Sequence, residues 1–89
     1  MWFIRLVRLK ESPNKESRAR IDEARKEAEK WGVKFHQTFY TLGRYDIVNI
    51  FEAPDEKTAM RFGLMVAPWT RGSETLSAVS REEVDSWSK

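Results

Sequence analysis

No cysteine occurs among the 89 residues, which excludes disulfides, thiolate nucleophiles and zinc–thiolate centres together. There is a single histidine, and no HxxE or HxH spacing surrounds it, so no metal-ligand set is written into the chain. A glycine-rich phosphate loop, a GxSxG elbow and a dinucleotide fingerprint are also missing, and no cofactor is expected. No apolar run approaches the roughly 18 residues of a membrane span. The opening MWFIRLVRLK lacks the small-residue cleavage site of a signal peptide, so the expected location is cytoplasmic, with no membrane partner. Charge of one sign is lacking too. Sixteen basic and fourteen acidic side chains leave a net +2, and they are interspersed, as in KESRARIDEARKEAEK. No basic stripe forms for a phosphate backbone, so nucleic acid is not an expected partner.

What is present is enough apolar sequence for one small core. Hydrophobic residues make up 40% of the chain and charged residues 34%, the balance of a globular domain. A chain of this length has no room for two cores, so residues 1–89 are read as a single domain. Residues 2–10 are apolar on both alternations, with Trp2, Ile4 and Leu6 on one and Phe3, Val7 and Leu9 on the other. That pattern predicts a central strand covered on both faces. Ser12-Pro13 reads as a helix cap followed by proline at the first helical position. From there to Trp31, Ile21, Ala24 and Ala28 recur at helical spacing, and Gly32 ends the helix in a left-handed conformation.

Strands are predicted over residues 33–42 and 45–53, joined by a turn at Gly43-Arg44. Pro54-Asp55 stops the second of these and caps a helix running to about Val66. A loop at 67–72 and a strand at 73–80 follow, then a short helix whose Ser80 and Glu83 fit a capping box. The order is βαββαβ: an α+β, ferredoxin-like sandwich with a four-stranded antiparallel sheet and two helices on one face.

Two helices cover one face of such a sheet and leave the other open. Folding the hairpin about Gly43-Arg44 pairs Leu42 with Tyr45, Tyr40 with Ile47, Thr38 with Asn49 and His36 with Phe51 on one face. The opposite face then carries Phe35, Phe39, Val48 and Ile50. A three-residue loop would reverse this parity. The second set is the more uniformly apolar and is assigned to the helices. The first is too apolar for water and too polar for a dry core. A second copy facing it across a partly wet pocket satisfies both requirements, so a homodimer, open to further assembly, is expected.

The run FYTLGRYDIVNIFEAPDEKTA resembles the core signature of GYD-domain proteins, whose Gly-x-Tyr-Asp turn falls here on Gly43, Tyr45 and Asp46. Further matches are Ser12-Pro13 with Arg18, Ala24-Arg25, Ala28-Glu29-Lys30, Gly32, Glu74-Thr75-Leu76, Ala78 and Glu83. The chain departs from the pattern at Pro68-Trp69-Thr70 and in the charge of its first strand, at Arg5 and Arg8. The resemblance implies a dimeric α+β barrel, a group that includes cofactor-free monooxygenases, lactone isomerases, haem-binding enzymes and ligand-sensing modules. It implies no particular activity, since fold-level kinship is analogy.

The candidate residues carry competing readings. Gly43 supplies the turn. Asp46 is either a carboxylate at the cavity or a pin for the hairpin, bonded to backbone amides or to Arg44. Tyr45 leans toward the pocket as a hydrogen-bond donor or as an interface aromatic. His36 is the one side chain titrating near neutrality by default, a general base or an interface residue. Asn49 at mid-strand needs partners, which a ligand or water would supply. Trp69 with Arg61 and Arg71 could form a lid and anion clamp, or a packed loop with solvated arginines. Three functions follow. The first is a small-molecule-binding homodimer with a pocket lined by His36, Tyr40, Tyr45, Asn49 and Trp69. The second is a cofactor-independent isomerase or monooxygenase using His36 or Asp46 as catalytic base. The third is a purely structural oligomerisation module.

Overall fold

Residues 1–88 are described by a computed structural model. The elements run β1 (Trp2–Leu9), α1 (Lys15–Lys30), β2 (Lys34–Tyr40), β3 (Ile47–Glu52), α2 (Glu56–Val66), a 3-10 turn (Ala67–Trp69), β4 (Thr70–Ala78) and α3 (Arg81–Ser86). The strands form one sheet in the order β2-β3-β1-β4, every neighbour antiparallel. This is the expected ferredoxin-like α+β plan, with α1 and α2 on the same face.

Local chemistry sets the helix ends. The first helix starts two residues later than Ser12-Pro13 suggests, because Asn14 is the stronger cap. Its Oδ1 accepts the Ser17 amide at 2.9 Å, and Ser17 Oγ accepts the Asn14 amide at 3.0 Å, a reciprocal box that satisfies two orphan groups. Gly32 closes α1 at φ +94°, and a Cβ there would stand 2.9 Å from Pro54 Cγ. Both the torsion and the close approach require glycine.

At α2 the Asp55 carboxylate accepts the Thr58 amide and hydroxyl, each at 2.7 Å. Those bonds hold its pKa below the ordinary value of 3.8. A lowered carboxylate pKa contributes stability above its unfolded value and loses it as pH falls through the folded one. Asp55→Ala is therefore expected to be less stable than the native chain at neutral pH, with the gap closing below about pH 4. Urea titrations at both pH values check this.

The two sheet faces are the reverse of the sequence expectation. Phe3 pairs with Phe51, Arg5 with Asn49 and Val7 with Ile47, and all six are buried beneath the helices. Trp2, Ile4 and Leu6 point the other way, with Val48 and Ile50. The core rests on Phe51, whose ring lies 5.5 Å from Phe3 and 6.1 Å from Phe62, centroid to centroid. The helices explain the inversion. They present Ala24, Ala28 and Ala59 to the sheet, and such small side chains leave space that phenylalanine rings fill better than Val48 and Ile50 would.

A bulge also shifts β2. Phe35 pairs with Phe51, but Gln37 pairs with Ile50, so His36 is the extra residue. Phe35, Thr38 and Tyr40 consequently share the helix face, whereas His36 turns to the open face. The Tyr40–Ile47 and Thr38–Asn49 pairs stand as expected; the His36–Phe51 pair is replaced by Phe35–Phe51.

Candidate functional site

Tyr40, Asn49 and Ile47 turn inward. These residues line a cavity within one chain, between the sheet and α1, and do not lie on the open face where the sequence placed them. A cavity of about 170 Å³ is lined by Arg5, Val7 and Leu9 of β1, Thr38 and Tyr40 of β2, Ile47 and Asn49 of β3, and Arg18, Ile21, Asp22 and Arg25 of α1. Val66, Trp69 and Thr70 close its far side. An adjoining hollow of about 230 Å³ shares Leu9, Arg18, Ile21, Tyr40, Ile47 and Trp69, and reaches the β1–α1 loop at Lys10, Glu11 and Pro13. Tyr40 and Trp69 thus stand where the inner cavity meets the outer hollow.

One wall is a fixed polar cluster. Arg25 of α1 stacks on Phe35, its guanidinium carbon 4.8 Å from the ring centroid. Its Nη2 donates to Asn49 Oδ1 at 3.0 Å and to Thr38 Oγ1, and Thr38 in turn donates to Asn49 Oδ1 at 2.9 Å. The side-chain oxygen of the mid-strand asparagine therefore has its partners, one from the helix above it and one from β2.

Arg5 is different. Only 3% of it is exposed. Its Nη2 donates to Ser73 Oγ at 3.3 Å, its guanidinium carbon lies 5.7 Å from the Phe62 ring centroid, and its buried Nε has no partner. Burial alone lowers its pKa from the ordinary guanidinium value to about 10, which still leaves it cationic at neutral pH. Among the described residues none of Arg5, Arg18 and Arg25 forms an ion pair, no carboxylate oxygen lying within 4 Å of their nitrogens.

The other candidate residues lie elsewhere. His36 sits on the open face, its Nε2 3.0 Å from Glu52 Oε1 and its ring 4.5 Å from that of Trp2. Asp46 ends the hairpin: its Oδ2 accepts the Leu9 amide at 2.7 Å, and its own amide donates to the Val7 carbonyl at 2.8 Å. Tyr45 donates to Glu74 Oε2 at 2.5 Å and lies under Arg8. That bond to Glu74 raises the phenol pKa above its usual 10. Gly43 takes φ +103° in open space, as the turn requires. Arg61 stacks on Trp31 at 3.8 Å, and Arg71 borders an outer cleft near Asp46, so the two do not converge with Trp69 into one clamp. Among the described residues no cluster of His, Asp or Glu could hold a metal ion.

Tyr40, Asn49 and Trp69, expected from the sequence in a pocket between two facing sheets, line this cleft together, and Arg5, Arg18 and Arg25 were not among the expected lining residues. A signal for Arg5 existed. It interrupts Phe3 and Val7 on one alternation of β1, and a charge on the core-facing phase of a strand is unusual.

An antiparallel βαββαβ sheet with both main helices on one face defines a ferredoxin-like α+β fold. The chain belongs to the GYD-domain family, whose profile matches residues 8–87. Comparison with curated proteins gives no match. Among solved structures it is similar to an AsnC family transcriptional regulator from Agrobacterium tumefaciens (18% identity, 90% of this chain and 50% of that one, TM-score 0.62). It also resembles a hypothetical protein from Pyrococcus horikoshii (12% identity, 91% and 93%, TM-score 0.56). A third is a dimeric ferredoxin-like protein of unknown function from Thermobifida fusca (13% identity, 88% and 89%, TM-score 0.55). The chain spans about half the length of the regulator it matches. At these identities the likeness is one of fold. No helix among the described residues is long and apolar enough to cross a membrane.

Proposed function

We propose that this chain is a small-molecule-binding protein that works as a homodimer, its ligand held in the cleft under α1. The observation that carries the reading is the cleft itself. Val7, Leu9, Ile21, Ile47 and Val66 give it apolar walls, and the Arg25–Thr38–Asn49 cluster gives it polar groups already fixed in place. Apolar surface with a few fixed polar groups is the ordinary make-up of a ligand site. Its volume of about 170 Å³ compares with an engineered cavity of about 150 Å³ that accepts benzene. Binding is favoured over catalysis because His36 and Asp46 line neither the cavity nor its adjoining hollow. Native mass spectrometry of the purified protein tests this: a small bound mass is expected on the native chain and not on Ile21→Trp, where the indole fills the cleft. Bare protein in both samples would count against it.

The open face supports the homodimer. Trp2, Ile4, Leu6, Val48 and Ile50 share it with Phe39, half exposed at 50%, and Leu76. A contiguous apolar patch of this kind marks an interaction surface, and the similar fold from Thermobifida fusca is dimeric. Ile50→Lys places a charge in the middle of that face. Analytical ultracentrifugation should find a dimer for the native chain and a monomer for Ile50→Lys. A native chain that sediments as a monomer would exclude the pairing.

A further inference from the structure

We infer that the ligand of the cleft is a small organic carboxylate whose charged end meets the Arg5 guanidinium, an inference that rests on the binding reading above. A cation that is 97% buried is normally matched by an acid, because transfer from water without a counter-charge is costly. Arg5 lacks that acid among the described residues. Its polar contact is the neutral Ser73 hydroxyl, and its Nε is buried without a partner. The Arg5 side chain lines the cavity, while its Nε lies beside α2, 4.0 Å from where a Cβ on Gly63 would stand. A buried guanidinium without a counter-charge, on a side chain that lines a cavity, fits the two oxygens of a carboxylate, which accept parallel N–H bonds.

The rest of the lining agrees. Arg18 and Arg25 lie two turns apart on α1, on one helix face, so three arginines line the cleft against one acidic residue, Asp22. Arg25 already donates to Asn49 and Thr38, which makes it a wall; Arg18 borders both the cavity and its outer hollow. The positive balance draws an anion inward, and buried Arg5 receives it. The apolar walls and the volume select the remainder of the molecule: a single ring or a short aliphatic chain. A nucleotide is too large for this space.

The test is an NMR titration of the full chain with three probes: benzoate, benzamide of the same shape without charge, and inorganic phosphate. The readouts are the Arg5 Nε–H and Trp69 indole N–H resonances. Benzoate is expected to bind at least about 10-fold more tightly than benzamide, as a charge-assisted bond requires. It should move both signals, and benzamide the Trp69 signal alone. Arg5→Lys keeps the charge but loses the fork and should weaken benzoate about 10-fold; Arg5→Met should bind the two probes equally. Equal binding by the native chain would overturn the carboxylate and leave the binding cleft standing. A preference for phosphate over benzoate would overturn it in favour of an inorganic anion. If no probe moves Trp69, the cleft reading falls with the carboxylate.

Discussion

Arg5→Met should yield a free protein more stable than the native chain, by about 1–3 kcal/mol, and one that no longer prefers a carboxylate. The stability gain follows from the cost of holding a charge out of water. Lowering the Arg5 pKa from its ordinary value to about 10 by burial corresponds to roughly 3 kcal/mol at about 1.4 kcal/mol per unit. Methionine removes that penalty, keeps an unbranched apolar stem of similar length, and gives up the 3.3 Å bond to Ser73 and the contact with Phe62. The losses reduce the gain without reversing it. The urea midpoint should rise with an unchanged slope.

The pH dependence has a definite sign. Arg5 is a cation whose folded pKa lies below its unfolded value, so from about pH 10 up to the ordinary guanidinium value the unfolded chain holds the extra proton. Native stability therefore climbs in that window, and the penalty is complete and flat below it. The advantage of methionine should be constant from about pH 6 to 9 and shrink above 10. Ligand reverses the order. Benzoate at 100 times its dissociation constant would add about 2.7 kcal/mol to the native chain and much less to the variant. A destabilised Arg5→Met would mean that the Ser73 and Phe62 contacts outweigh desolvation, and would remove the energetic ground for an anion.

Much of this molecule was legible before its coordinates. The order of elements follows from periods and caps that are local: Gly32 after the 3.6-residue stripe, Pro54-Asp55 after a β-branched run, Ser80 before Glu83. The hairpin pairs Tyr40–Ile47 and Thr38–Asn49 follow from Gly43. Which side of the sheet meets the helices does not, because both sides of β1 and β3 are apolar enough to serve. That choice is made by fit. Alanines on α1 and α2 call for rings opposite them, and Phe3, Phe51 and Phe62 answer. Nor is the bulge at His36 written in any turn residue. It shows only when Phe35 and Thr38 must both face inward. The departure at Pro68-Trp69-Thr70 was visible as an oddity, and its consequence was not: this segment forms part of the wall around the cavity and its adjoining hollow.

The inverted face has a measurable consequence in two phenylalanines of the same hairpin. Phe51 is wholly buried, with rings of Phe3, Phe35 and Phe62 around it. Phe51→Ala should cost about 3–5 kcal/mol, enough to unfold much of a domain whose total stability is of order 5–10 kcal/mol. That loss should be the same at every protein concentration, because the cavity lies inside one chain. Phe39 is half exposed on the open face. In the isolated chain its removal should cost under about 1 kcal/mol, and any larger loss should appear only at concentrations where the native protein self-associates, since subunit pairing stabilises by mass action. Had the faces been arranged as the hairpin parity suggested, the two effects would be exchanged. Urea titrations of both variants at high and low protein concentration separate the arrangements. A concentration-dependent Phe51→Ala beside a severe, concentration-independent Phe39→Ala would put Asn49 and Tyr40 back on the open face, and the cleft under α1 would have no polar wall.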